Sequence, residues 1–246
     1  MIDFEAIRNG FNNEEFFLEY LPTISLENNR CIGAEALIRW RRQSEVVLPD
    51  DFIPLIENTL LSGLVTYWVI ETVAKELGQW LRENDGIYIA INVPPEILGR
   101  GGLEYAVRKA GLADVARKLI LEVTERGVPD KLGVDALNSA KRYGVRVALD
   151  DVGEGANLIV LARCRVDIIK IDKSVIKKME FGARSNVVHG IAMLMNIGNL
   201  EIIAEGVESA SQVTALKEAG IKMAQGWYFS PSLSAKGLKK FYRSRR

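Results

Sequence analysis

The chain has 246 residues, 48% hydrophobic and 26% charged, enough apolar material for a large core and enough charge for a solvated surface. Its 32 basic and 32 acidic residues cancel, so there is no broad electrostatic footprint for a nucleic-acid polymer. Cys31 and Cys164 fit neither a disulfide framework nor a zinc spacing, and no apolar run is long enough to span a bilayer, so a reduced, cytoplasmic setting is expected.

Residues 14–24 read as a first strand closed by Pro22, Glu27-Asn28-Asn29-Arg30 as a turn, and Cys31–Trp40 as a second strand, which makes the opening a hairpin. Asp50 is expected to cap a short helix through Asn58. A longer helix is expected from Leu61 to Arg82, with Leu64, Trp68, Val73, Leu77 and Trp80 near helical spacing and its tryptophans in the core. The chain then alternates short apolar strands with helices. Strands are expected at Ile87–Asn92, Leu119–Thr124, Val145–Asp150, Val166–Ile171, Leu200–Ala204 and Lys222–Phe229, and helices around 103–111, 131–143, 156–163, 184–198 and 209–219. Ser209 suits an N-cap and Gly220 the position after a helix end. The basic ending from Lys239 to Arg246 is expected to be a solvated end. Repeated strand–helix units imply a parallel sheet, and their number favours a closed α/β barrel of the (β/α)8 TIM type over an open doubly wound sheet, for which no Gly-x-Gly-x-x-Gly turn is present. No linker divides the chain, so residues 1–246 are expected to form one domain.

Chemistry collects where these strands end. Val147-Ala148-Leu149 delivers Asp150 and Asp151, which strand alternation points to different sides, so that the pair straddles a cluster. Elsewhere Glu35 and Arg39 lie on the hairpin strand, and Asn92 follows Ile91. Glu122 follows Leu121 with Thr124 and Glu125 beyond, and Lys170 follows Ile169 with Asp172 beyond. Glu205 follows Ala204 with Glu208 beyond, and Gln225 precedes Gly226. In a barrel these strand ends form one rim. Each carboxylate alone could be a helix cap or a solvated loop residue, but so many like charges at one rim repel unless cations neutralise them. The one histidine, His189, falls in an expected helix, so acid–base or metal chemistry rests on carboxylates, amides and lysine, donors suited to magnesium or manganese. With Asp150 bridging, Glu35, Asn92, Glu122, Asp150 and Asp151 can furnish a site for two metals about 3.5–4 Å apart, an arrangement used for phosphoryl hydrolysis. Lys170 is either the cation that orients water or phosphate, or a salt-bridge partner for a neighbouring carboxylate.

These segments resemble one family. Glu35-Ala36-Leu37 with Arg39 two further on is similar to the signature of the EAL-domain family of cyclic di-GMP phosphodiesterases. Asn92 in Ile-Asn-Val-Pro, Leu-Glu-Val-Thr-Glu at 121–125, Asp150-Asp151-Val152-Gly153, Val-Asp-Ile-Ile-Lys-Ile-Asp at 166–172, Ala-Glu-Gly-Val-Glu at 204–208 and Gln225-Gly226 resemble its companion motifs, in its order, over about residues 14–233. The resemblance implies a modified barrel with one antiparallel strand near the N-terminus. It implies hydrolysis of cyclic di-GMP to linear pGpG with two Mg2+ or Mn2+ ions per active site. Glu35, Asn92, Glu122 and Asp150 would hold the first ion, and Asp150, Asp151 and Glu205 the second. Lys170, Glu205 and Glu125 would form the catalytic set, with Lys170 supporting the attacking water and Glu125 anchoring the loop after Asp151. Glu35, Leu37, Arg39, Asp172, Glu208 and Gln225 would face the substrate. A homodimer, and flanking sensory or GGDEF-type domains outside this chain, are also implied.

Three departures from the family pattern stand out: Leu21 replaces a polar residue before Pro22, Val152 replaces a phenylalanine, and the loop from Glu154 to Leu158 is one residue short. They give weight to a catalytically silent relative that binds cyclic di-GMP or a protein partner. A third reading is an unrelated metal-dependent barrel enzyme acting on a small phosphorylated substrate.

Overall fold

β1 (Phe16–Ser25) and β2 (Cys31–Arg42) form the expected antiparallel hairpin. Contrary to expectation, β1 does not stop at Pro22, which pairs with Ala34 in mid-strand. The reason lies in the direction of the missing donor. Tyr20 N–H points away from β2 and donates to Leu233 O at 2.7 Å, and position 22 shares that direction, so the proline removes no hairpin hydrogen bond. In this computed structural model, residues 2–94, 97–98, 101–124, 131–153, 165–180, 190 and 200–246 are described.

Two unanticipated elements flank the hairpin. α1 (Phe4–Asn12) precedes it, capped by Asp3, and β3 (Glu45–Val47) pairs antiparallel with the end of β2. The helix expected from Asp50 to Asn58 is corrected. α2 spans only Pro49–Phe52 with Leu48 at its cap, and Pro54, which cannot donate to a continuing helix, leaves a single 3-10 turn at Ile53–Leu55. α3 (Leu60–Glu83) is capped by Thr59, whose side chain accepts from Leu61 N–H. Its buried stripe runs through Leu61, Val65, Val69, Val73, Leu77 and Trp80, which leaves Leu64, one position off that stripe, half exposed.

β4 (Tyr88–Asn92), β5 (Leu119–Thr124), β6 (Arg146–Val152), β7 (Ile168–Ile171), β8 (Glu201–Ala204) and β9 (Met223–Ala224) follow in a parallel array that begins at β2. β1 pairs antiparallel with both β9 and β2 and so closes an eight-stranded barrel with one antiparallel strand, as expected, and excludes an open sheet. The last expected strand, Lys222–Phe229, shrinks to Met223–Ala224. Gly226, at φ 150°, turns the chain so that Tyr228 N–H reaches Val207 O, and Phe229 and Ser230 N–H reach Gly226 O.

Around the barrel lie α4 (Gly102–Lys109), α5 (Lys131–Ala140), an unanticipated α6 (Lys173–Glu180), α7 (Ala210–Glu218) and α8 (Ala235–Ser244). Ser209 caps α7 in a reciprocal box with Gln212, and Gly220 follows it at φ 78°, as their residue types suggest. α8 corrects the solvated ending: Leu238 and Tyr242 are buried, and Tyr242 meets Trp80 edge-on at 5.3 Å. The helix expected at 156–163, nearly all of that at 184–198, His189 and Cys164 lie outside the described residues. No helix among the described residues is long and apolar enough to cross a membrane.

Strand alternation divides the apolar core into two parts. Ile89, Ile91, Leu119, Leu121, Val147, Leu149 and Ile169 face outward into the main core under the helices. Tyr88, Ala90, Ile120, Ala148, Ile168, Ile203 and Met223 face inward and plug the barrel. Gly33 makes room for the plug, because a Cβ there would lie 2.3 Å from the Tyr88 ring.

Candidate metal centre

The polar cluster sits one inward-facing step above the plug. Asn92 is two residues beyond Ala90, Glu122 beyond Ile120, Asp150 beyond Ala148, Lys170 beyond Ile168, Glu205 beyond Ile203, and Gln225 beyond Met223. Glu35 joins from β2, two residues beyond Gly33. The strands' period of two therefore brings seven polar side chains from seven strands or strand ends to one level at the mouth of the barrel.

Lys170 is at its centre and is 1% exposed. Its Nζ lies 3.0 Å from Glu35 Oε2, 2.9 Å from Glu122 Oε1, 3.1 Å from Asp150 Oδ1 and 2.8 Å from Glu205 Oε1. An ammonium has three protons, too few for four carboxylates at once. Gln225 Nε2 donates to Glu35 Oε2 at 2.7 Å and to Glu205 Oε1 at 3.0 Å, and Asn92 Nδ2 donates to Glu35 Oε1 at 2.9 Å. Thr23 Oγ1 donates to Gln225 Oε1 at 3.2 Å and so fixes which way that amide faces. Thr23 belongs to no motif that the sequence marks. Its one signal is its place on the same strand face as Leu21, opposite β2.

Asp151 departs from the expected alternation. The pairing of β6 with β7 shifts between Leu149 and Val152, and Asp151 takes a left-handed φ of 57°. Its carboxylate therefore turns back toward the cluster instead of straddling it. Glu35, Glu122 and Asp150 bring oxygens within 4.8 Å of one another, and so do Asp150, Asp151 and Glu205, with Asp150 common to both groups.

Charge balance suits the cluster to a cation. Burial, reinforced by the Glu35 charge, pushes the Glu122 carboxyl well above its ordinary value. Burial likewise raises Asp150 and Asp151 against the pull of Lys170, and takes Glu205 to about 8. Glu35 goes the other way. Burial would raise it, but the Lys170 charge and the hydrogen bonds from Asn92 and Gln225 hold it below the usual range. Burial opposes the charge of Lys170, yet the four carboxylates keep it firmly protonated. Glu122 Oε2 is buried and has no hydrogen-bond partner among the described residues, an acceptor that a divalent cation would satisfy.

The substrate-side candidates are more dispersed. Arg39 stands on β2 above Glu35 and Leu37 on the same face, but its guanidinium is already held, with Nε 3.0 Å from Glu19 Oε2. Asp172, two residues past Lys170, accepts from Ser174 N–H at 2.9 Å; burial would raise its carboxyl, but hydrogen bonds from Ser174 and Lys173 lower it. Glu208 is exposed at the start of α7, where its N–H donates to Gln212 Oε1, and it is not brought into the carboxylate cluster. Glu125 and the short loop from Glu154 lie outside the described residues.

A family model described as the EAL domain matches residues 5–232. Over 232 residues the chain is 32% identical to a probable cyclic di-GMP phosphodiesterase, PdeB, of Escherichia coli K12, covering 92% of this chain and 44% of that protein. Over 252 residues it is 30% identical to the cyclic di-GMP phosphodiesterase NbdA of Pseudomonas aeruginosa, covering 98% of this chain and 32% of that protein, so it spans less than half the length of either relative. Its fold superposes on the EAL enzyme Bd1971, in a form bound to cAMP and cyclic di-GMP, with a TM-score of 0.87 at 29% identity, covering 97% of this chain and 67% of that one. The PaMucR phosphodiesterase in complex with cyclic di-GMP gives 0.83 at 30% identity, covering 95% and 98%. Motifs, barrel and site level agree with these matches, and the chain belongs to the EAL-domain family.

Proposed function

We propose that this chain is a metal-dependent phosphodiesterase that hydrolyses cyclic di-GMP to linear pGpG. The observation that carries the reading is Asp150, shared between two carboxylate groups that surround one buried lysine. Glu35, Asn92, Glu122 and Asp150 would hold one Mg2+ or Mn2+ ion, and Asp150, Asp151 and Glu205 the other. When bound, such a pair supplies Lewis-acid charge and lowers the pKa of a water at neutral pH. Lys170 would orient that water and hold the carboxylates at one level. Gln225 keeps Glu35 and Glu205 aligned, with Thr23 behind it. Arg39 and Asp172, above the cluster, would contact the nucleotide, Arg39 at a phosphate. Leu37 and Glu208 would line the same bowl, and Glu125 would anchor the loop after Asp151. The reading carries with it a homodimer, a cytoplasmic setting and, in a longer chain, flanking sensory or GGDEF-type domains.

Incubation of the purified chain with cyclic di-GMP and magnesium or manganese, followed by chromatography, tests this directly. Metal-dependent pGpG, absent with chelator and from Glu35→Ala, is the expected result. A second reading, a cyclic di-GMP receptor without turnover, is favoured by Leu21, which faces Glu35 in register and offers no polar contact there. Tight binding with no cleavage in saturating metal would select it.

A further inference from the structure

Above the carboxylate level the bowl has a wall made by β1 and β2. Cross-strand pairs climb it in register, Leu21 with Glu35, Glu19 with Leu37, Phe17 with Arg39. Thr23, next on the same face of β1, bonds Gln225 inside the barrel, which fixes this face as the one toward the site. Near the top, the Arg39 side chain is 10% exposed and that of Glu19 31%. Arg39 Nε donates to Glu19 Oε2 at 3.0 Å, Nη2 to Ser232 Oγ at 3.4 Å and Nη1 to Ile38 O at 2.9 Å. Ser232 Oγ donates in turn to the same Glu19 oxygen at 2.7 Å.

We infer that Glu19 sets the affinity of the site for its phosphodiester substrate by competing with a phosphate for Arg39, an inference that rests on the phosphodiesterase reading. A guanidinium recognises an anion through the paired N–H groups of one edge. On Arg39 the edge carrying Nε and Nη2 is taken by Glu19 and by the serine that Glu19 holds, and Nη1 is spent on a carbonyl. A phosphate must displace the carboxylate or lie beside a like charge in a partly desolvated wall, and either lowers affinity. Glu19 is exposed enough to swing into water, which makes it a displaceable competitor and not a fixed part of the core. Ser232 strengthens the competitor by holding its carboxylate in the fork. The contacts join residues 19 and 39 of the hairpin to residue 232 beyond β9, so they tune the wall from both sides.

The test is Glu19→Gln and Ser232→Ala beside the wild-type chain, by steady-state kinetics with magnesium and by calorimetric binding of cyclic di-GMP after chelation. For Glu19→Gln, KM and Kd should fall roughly five- to tenfold, the scale of one charge-assisted contact regained, with kcat within twofold. Ser232→Ala should lower both in the same direction by less. Adding Arg39→Ala to Glu19→Gln should erase the gain, because the competition acts only through that guanidinium. A KM unchanged or raised in Glu19→Gln, with turnover intact, overturns the role of Glu19 alone, as does a gain that survives Arg39→Ala. Folding is checked by thermal melts. If the glutamine variant melts early, Glu19→Ala, which removes the carboxylate without leaving an amide, decides the matter by the same KM and Kd comparison. Neither binding nor cleavage by any of these chains overturns the phosphodiesterase reading, and the role of Glu19 with it.

Discussion

Asp151 donates its backbone N–H to Oδ1 of Asp150 at 2.9 Å, and the two neighbours bring carboxylate oxygens within 4.8 Å of each other and of Glu205. In a regular strand they would point apart. The left-handed φ of Asp151 makes the convergence, and a backbone held there in a non-glycine residue stores strain of about 1–3 kcal/mol at its upper range, less for Asp or Asn. Asp151→Asn keeps a residue type tolerant of that φ and removes a like charge. It should therefore raise the melting temperature of the metal-free chain while shrinking the further rise on adding Mg2+ or Mn2+. With or without metal, Asp151→Val should be less stable than Asp151→Asn by about 1–3 kcal/mol, because both remove the charge but a branched Cβ resists positive φ. Equal melting of the asparagine and valine variants without metal would remove the backbone argument.

The raised carboxylates give the metal-free chain an unusual pH dependence. Glu205 titrates near 8 in the folded state against an ordinary 4.5. Between those values the folded chain binds more protons than the unfolded one, so stability from this group is fully present below about 4.5 and is lost as pH rises through 8. Glu122, Asp150 and Asp151 are shifted by burial in the same direction, while the lowered Glu35 opposes them and favours folding only above its ordinary range. Urea denaturation in chelator at pH 5, 7 and 9 should therefore show declining stability. With divalent cation present the decline should flatten, since metal binding releases the same protons and tightens as they leave. Stability that climbs from pH 5 to 9 in chelator would contradict the assigned directions.

The cluster is legible in the sequence because its pattern is local. Apart from Glu35, which follows Gly33, each of its side chains stands two residues past an inward apolar residue, as in Ala90-Ile91-Asn92 or Ile168-Ile169-Lys170, so a strand reading carries the polar residues to one level. The pairing of Glu19 with Ser232 is not legible, because 213 residues separate the partners and neither belongs to a repeated pattern. Asp151 misleads for a different reason: alternation holds only while the ladder does, and the register shift that turns its side chain leaves no mark in the sequence. The apolar run Lys222–Phe229 looks like a long strand, yet Gly226 permits a turn that no side chain could follow, with a Cβ there 2.3 Å from Val207 N and O.

The ending misleads because its lysines and arginines mask a helical stripe. Leu238 and Tyr242, four apart, face inward from α8 while the charges face out. Tyr242→Ala removes a buried ring packed edge-on against Trp80, and it should cost about 3–5 kcal/mol in urea denaturation. Turnover below the melting transition should change little, because α8 packs outside the barrel. A loss under about 1 kcal/mol would return this segment to a solvated end.

Lys170 decides between two roles that geometry alone allows. As a counter-charge, it holds four carboxylate oxygens at 2.8–3.1 Å, and Lys170→Ala should destabilise the metal-free chain by about 3–5 kcal/mol, the scale of breaking a buried ion pair. Divalent cations supply positive charge to the same oxygens, so saturating Mg2+ or Mn2+ should restore most of that stability. As a group that positions water or stabilises phosphate, the ammonium has no substitute among the described side chains on this level, which are all carboxylates or amides. Turnover of the metal-loaded variant should then stay roughly 10²–10⁴-fold down even though the fold is recovered. Thermal melts and single-turnover rates on one metal-loaded sample separate the two effects. Stability and rate returning together would reduce Lys170 to a structural counter-charge; stability returning alone is the outcome we expect.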